Sequence, residues 1–258
     1  MVFHIFRCFV CALGACVLLV TPALAYDVLL VGSSTVSNYV FWQKQAEHQE
    51  KSGIKFDVIP SSSGRGMMAL AEGRADIAMI SSALDPLIAK LNDAGDQKIK
   101  SDDFLVHPIA QARVLFVVNA DNPLDHLSPS QVRDILTGKV TQWGQLKASL
   151  LGDIRVVTEH PSGGLYRWVE THIMDGVPFV DKKVVMQNAP QVALVVAQDK
   201  NAFGFISDAT PPEQRRDAKI VTVPDLDATQ HLYLVTRKDD TPAKARALIT
   251  YLQEALAR

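Results

Sequence analysis

Residues 28–35 read Val28, Leu29, Leu30, Val31, Gly32, Ser33, Ser34, Thr35: an apolar run that ends abruptly in small and hydroxylated residues. Four successive apolar residues are the length of a buried strand, and Gly32 marks its end. Beyond Thr35 the chain carries neither Gly nor Pro until Gly53, so the next segment reads as helix with Gly53 as its C-cap. The unit is therefore strand, Ser/Gly turn, helix.

The same unit recurs. Phe56 to Ile59 is a short strand running into Pro60, Ser61, Ser62, Ser63 and Gly64, and a helix through Met67, Met68, Leu70 and Ala71 stops at Gly73. Ile77 to Ile80 runs into Ser81 and Ser82. Ile154 to Val157 leads through Thr158, Glu159, His160 and Pro161 to Ser162, Gly163 and Gly164, followed by Leu165, Trp168, Val169 and His172 at helical spacing. Val114 to Val118, Phe203 to Ile206 and Leu232 to Val235 read as further strands, and Gln191 to Gln198 as an apolar helix. Ser128 as N-cap, Pro129, Gln131 completing a capping box and Gly138 as the stop delimit another helix. A terminal helix opens at Thr241 and Pro242 with the stripe Ala245, Leu248, Ile249, Leu252, Leu256. Uniformly apolar strands alternating with helices predict an α/β fold whose sheet is mainly parallel and covered on both faces.

The chain has 258 residues, 48% apolar and 21% charged, with a formal net charge of -2. That length supports one large domain or two lobes, and the acidic balance gives no footprint for nucleic acid. All three cysteines, Cys8, Cys11 and Cys16, fall in the first 25 residues, so the rest of the chain offers neither a thiol nucleophile nor a Cys-based zinc site. Those first residues read as an export signal. One basic residue, Arg7, precedes an apolar run from Cys8 to Val20, and Ala23, Leu24, Ala25 supply an A-x-A cleavage pattern. The expectation is cleavage after Ala25 and release outside the inner membrane, with a lipoprotein box at Cys16 as the alternative.

Chemistry concentrates in the Ser/Gly turns. At the carboxyl end of a parallel strand, a turn entering a helix presents free backbone N–H groups with the positive end of the helix dipole behind them, and such turns bind anions. One turn of this kind is adequately explained by the frequency of Ser and Gly at N-caps. Three, at Ser33 to Thr35, Ser62 to Gly64 and Ser162 to Gly164, could surround a tetrahedral oxyanion with neutral donors. Enzyme patterns do not match: His160 stands where a nucleophile elbow around Ser162 needs Gly, no Walker A lysine follows Gly32 or Gly64, and no pair of histidines has metal-ligand spacing. His107, His126 and His231 read as surface or turn residues, while His160 could add a titratable donor to the third turn. Neither a metal nor a cofactor is implied.

In order, the segments GSSTV (32–36), SSGRGM (62–67), GRADIAMISS (73–82), VLFVVNADNPL (114–124), LSPSQVRDILTGKVTQWGQL (127–146), PSGG (161–164) and NAFGFIS (201–207) resemble the phosphate-binding solute receptors of bacterial ABC importers. The resemblance implies a two-lobed, type II periplasmic-binding-protein-like fold. By that analogy lobe one comprises residues 26–110 plus 224–258 and lobe two residues 111–223, with crossings near Pro108 to Arg113 and Val223 to Leu226. It also implies a periplasmic monomer without catalytic activity that captures inorganic phosphate or a related oxyanion and meets the importer's membrane subunits. Thr35, Ser63, Ser162 and Gly163 are the ligand positions that it carries over, and Ser34, Ser62, Gly64, Ser81 and Gly164 join them as candidate ligands of the same turns.

The chain also departs from the family. Thr158 stands where the family usually has an Arg four residues before Ser162, Gly164 replaces a Thr, and Ser81 stands where some members have an Asp that accepts the proton of hydrogen phosphate. A hydroxyl at Ser81 suits sulfate or molybdate as well as phosphate. Arg65 and Arg113 are the candidates for the missing positive charge. The residues therefore leave open a stand-alone sensor or accessory protein with weak or different oxyanion binding, and a serine hydrolase using Ser162 with His160.

Overall fold

A computed structural model describes residues 26–95, 98–146 and 152–257. The export signal, its A-x-A site and the Cys16 lipoprotein box lie outside the described residues.

The first half of the chain lays down β1 (Val28–Ser33), α1 (Ser34–Phe41), α2 (Gln45–Ser52), β2 (Phe56–Ser61), α3 (Ser63–Ala71), β3 (Ile77–Ile80), α4 (Leu84–Ala94) and the long β4 (Phe104–Asn119). Then follow α5 (Pro129–Thr137), β5 (Arg155–Glu159), α6 (Gly164–His172), β6 (Val184–Met186), α7 (Ala189–Gln198), β7 (Ala202–Ser207), β8 (Ala218–Val221), β9 (Thr229–Arg237) and α8 (Ala243–Leu256). Among the described residues the strands form a nine-stranded sheet in the order β2-β1-β3-β9-β4-β7-β5-β6, with β8 on the far side of β4.

Parallel pairing holds where the Ser/Gly turns are: β2, β1 and β3 run parallel, and so do β7, β5 and β6. The middle of the sheet differs. β4 and β9 pair antiparallel with each other and with their outer neighbours. Apolar content therefore reported the burial of Val114 to Val118, not their direction. β4 pairs with β9 as far as Arg113 and with β7 from Val114 onward, so one strand belongs to both halves. The return passes the same level where the Val114 N–H donates to the Ala228 carbonyl.

Each half has its own core. Lobe one is covered on one sheet face by Val36, Val40 and Phe41 of α1 with Leu248 and Leu252 of α8, and on the other by Met67 and Leu70 of α3 with Leu87 of α4. Successive residues of β3 divide between these clusters, Ile77 and Met79 to the first and Ala78 and Ile80 to the second. Lobe two is built around Trp143, Phe203, Phe205, Val157, Leu165 and Val192. The predicted capping box is complete: Ser128 Oγ accepts from the Gln131 N–H while the Gln131 side chain accepts from the Ser128 N–H. The segment expected as one helix up to Gly53 is two, broken at Trp42–Lys44, where Gln43 has φ 57°. Left-handed Gly53 still ends the second.

Candidate functional site

β1 delivers its turn with little freedom. Gly32 has φ +140°, and a side chain there would press into the backbone of Met79 on β3. Ser33 then caps α1, accepting from the Val36 N–H at 3.4 Å, and its hydroxyl lies 2.8 Å from that of Ser81. Ser34 and Thr35 are buried in the first turn of α1.

The second turn is held from two sides. Ser62 is the N-cap of α3 and accepts from the Arg65 N–H at 3.3 Å. Ser63, fully buried, accepts from the Ser81 N–H at 3.2 Å, and the Ser81 carbonyl accepts from Gln230 Nε2 at 2.7 Å. Ser33, Ser63 and Ser81 are thus one hydrogen-bonded group at the carboxyl ends of β1, β2 and β3.

Lobe two brings the third turn against this group. The Ser62 and Ser162 hydroxyls are 2.9 Å apart, and the Gly64 N–H donates to the Ser162 carbonyl at 3.0 Å. A Cβ on Gly64 would come within 2.7 Å of Ser162 Cβ, and one on Gly164 would overlap the Ser81 hydroxyl. Glycine at both positions is what lets the two lobes touch. A third cross-lobe link is the ion pair of Lys90 on α4 with Glu170 on α6, 3.1 Å.

Within the third turn the helix N-terminus is already occupied. Glu159 Oε1 accepts from the Leu165 N–H at 2.7 Å and the Tyr166 N–H at 3.0 Å, so a carboxylate of the same chain sits where a helix dipole favours an anion. Burial drives the Glu159 pKa up to about 7, and the two N–H donors oppose the rise. Gly163 leaves room for that carboxylate, because a Cβ there would overlap it. Buried Thr158 Oγ1 has no hydrogen-bond partner among the described residues. His160 Nδ1 accepts from the Ser162 N–H at 3.1 Å and lies 2.9 Å from Ser162 Oγ. Burial lowers the His160 pKa, and the nearby Arg65 charge lowers it further.

The structure joins Ser62, Ser63, Gly64, Ser81, Ser162 and Gly164 directly, with Gly163 in the same turn and Ser34 and Thr35 beside Ser33. Arg65 is exposed and lines an outer cavity with His160 and Ser162. Arg113 is exposed on β4, where its backbone N–H donates to Asp208 Oδ1. Two residues of the cleft have no signal in the spacing of the sequence. Glu159 is one, because it reaches six and seven residues forward. Arg167 is the other: it lies off the apolar stripe of α6, yet among the described residues it is the only buried arginine or lysine. Its Nη2 donates to the Pro161 carbonyl at 3.0 Å and its Nη1 is 3.6 Å from Glu170. Among the described residues no group of three or more His, Cys, Asp or Glu could hold a metal ion.

A family model described as the PBP superfamily domain matches residues 20–255. The phosphate-binding protein PstS 2 of Streptococcus agalactiae is 32% identical over 119 residues, 46% of this chain and 37% of that protein. The phosphate-binding protein PstS of Staphylococcus epidermidis is 30% identical over 177 residues, 67% of this chain and 51% of that protein. The matched stretch thus spans between about a third and a half of the length of these relatives. Among solved structures, a putative phosphate ABC transporter substrate-binding protein with bound phosphate from Clostridium perfringens superposes with TM-score 0.73 at 19% identity, covering 87% of this chain and 92% of that one. An ABC-type phosphate transport receptor from Vibrio cholerae gives TM-score 0.62 at 20% identity, covering 88% and 93%. These likenesses show the two-lobed fold.

Proposed function

The chain belongs to the PBP superfamily, and from that premise we propose that it is an exported receptor that captures an inorganic oxyanion, phosphate by preference, between its lobes and delivers it to an ABC-type importer. The observation that carries the reading is the meeting of Ser62, Gly64 and Ser81 with Ser162 and Gly164 across the cleft. Helix N-termini with small hydroxylated residues converge there from both lobes, an arrangement that suits an anion. The relatives named for phosphate binding support the choice of ion.

Closure is the mechanism. The division into residues 26–110 plus 224–258 and 111–223 places the hinge where β4 changes partners, and the exchange at Arg113 and Val114 supports it. When the lobes part, the Ser62–Ser162 and Gly64–Ser162 hydrogen bonds open and free one amide and two hydroxyls for the ion. Each such bond is worth about 1 kcal/mol net, so an ion making several charge-assisted bonds in their place favours its own bound, closed state. The reading includes release after Ala25, a monomeric state and contact with membrane subunits only as partners. Among the described residues no helix is long and apolar enough to cross a membrane.

A second reading, an accessory or sensor protein that binds oxyanions weakly, is favoured by two observations. Glu159 already takes the Leu165 and Tyr166 amides, and neither Arg65 nor Arg113 is buried in the cluster. Melting temperatures of the exported protein with phosphate, sulfate and molybdate separate these readings. A receptor gains stability at micromolar phosphate by mass action. A rise only at millimolar ion favours the accessory protein, and no rise with any of the three contradicts both.

A further inference from the structure

Glu159 is a buried carboxyl group whose hydrogen-bond partners are neutral. It is 5% exposed, and its Oε1 accepts both the Leu165 and the Tyr166 amides. The elements packed on β5 bring little charge to it: β6, β7 and α7 contain no ionisable side chain. On α6 the ionisable groups are Tyr166, Arg167, Glu170 and His172. Of these, Arg167 turns to the Pro161 carbonyl and Glu170, and His172 to the Trp168 carbonyl. His160 of the same turn is engaged with Ser162, and exposed Arg65 across the cleft bears on His160. Burial lifts the Glu159 pKa to about 7, against the pull of the two amides alone.

This carboxyl stands in the turn that closes on lobe one. A side chain on Gly163 would overlap it, and the neighbouring Ser162 is the residue that meets Ser62 and Gly64. An anion received between Ser62 and Ser162 therefore brings a second negative charge close to a buried one, where screening is weak. Like charges sharing a site oppose each other's ionisation, and a carboxyl that titrates near neutral pH answers by taking up a proton.

We propose that Glu159 couples anion capture to proton uptake: as the anion enters the cross-lobe turns, a proton passes from solvent to the Glu159 carboxylate, Oε2 receiving it while Oε1 keeps both amides. The inference rests on the oxyanion reading and adds a regulation to it, because capture then weakens as pH rises through neutrality. A complex that holds an extra proton loses up to about tenfold in affinity per pH unit once the free carboxyl is ionised.

The test is calorimetric titration of phosphate, between about pH 6 and about pH 8.5, into the parent and into Glu159→Gln, which keeps an acceptor for the amides and cannot titrate. Taking the ratio of the two affinities removes the ionisation of phosphate itself. Parent affinity should fall relative to the variant by about tenfold or more across this range. In carbon-13 NMR of the side-chain carboxyls, the parent resonance that titrates near neutral pH should move up by about one pH unit or more when phosphate saturates the protein. That measurement needs no variant, so it decides the matter if Glu159→Gln fails to fold. Saturable binding with a constant affinity ratio, or with an unmoved carboxyl titration, overturns this inference and leaves the oxyanion reading standing. Absence of saturable phosphate binding by the parent overturns both.

Discussion

The hydroxyls of Ser62 and Ser162 stand 2.9 Å apart across the cleft, although 100 positions of sequence separate them. Ser62 also caps α3 and Ser162 also engages His160, so the contact couples a helix start in one lobe to a turn in the other. A change at this junction acts on closure and on local helix stability together unless the new side chain still caps the helix, and the two effects also separate at residues that serve only one of them.

Gly164 is such a residue. It meets Ser81 across the cleft and caps nothing with a side chain. Gly164→Ala forces a methyl group against the Ser81 hydroxyl, an overpacking that costs about 1–3 kcal/mol if the lobes stay closed. The lobes are expected to part instead. Small-angle scattering should give a larger radius of gyration for Gly164→Ala than for the parent, with secondary structure by circular dichroism unchanged. Equal radii would show that the turns tolerate the methyl group and that the contact does not set the lobe separation.

Glu159 makes a pH prediction with a defined sign. Its folded pKa, about 7, lies above the ordinary value of 4.5, so the fold prefers the protonated carboxyl. Its contribution is complete below about pH 4.5 and is lost as pH rises through about 7, on the order of 3 kcal/mol in all. Glu159→Gln keeps an acceptor for the Leu165 and Tyr166 amides but cannot titrate. Chemical denaturation from pH 4.5 to 8 should show parent stability falling across this window relative to Glu159→Gln. Parallel curves would mean that Glu159 is ionised in the fold throughout.

Much of this was readable beforehand, for a physical reason. Strand ends, Ser/Gly turns and caps are local, and local chemistry fixed β1, β2, β3, β5, the Ser128 capping box and the Gly53 stop. Two kinds of information were not local. The direction of β4 and β9 depends on which strands they lie between, and an apolar run such as Val114 to Val118 is equally suited to parallel and antiparallel neighbours. The occupancy of a helix N-terminus is the other: nothing in Thr158, Glu159, His160 says that the carboxylate turns back onto α6.

Arg65 bears on His160 and not on the fold. Its charge helps hold the His160 pKa below the usual imidazole value, behind burial as the larger cause. Arg65→Ala should raise the His160 pKa, measured by proton NMR titration of the imidazole. Stability should change by no more than about 0.5 kcal/mol, as for exposed positions generally. An unmoved His160 titration would place the guanidinium away from the turn in solution.

The claim that the cross-lobe turns form an oxyanion site rests most directly on Ser62. Asp caps a helix as well as Ser does and suits its dipole, so Ser62→Asp should fold and melt near the parent. The new carboxylate faces Ser162 at the place proposed for the ion, where a second negative charge is repelled. The deciding measurement is a calorimetric titration of phosphate into the parent and into Ser62→Asp. The account predicts saturable binding of a single ion per parent chain and none in the variant. Equal binding by both, or no saturable binding by the parent, would contradict it.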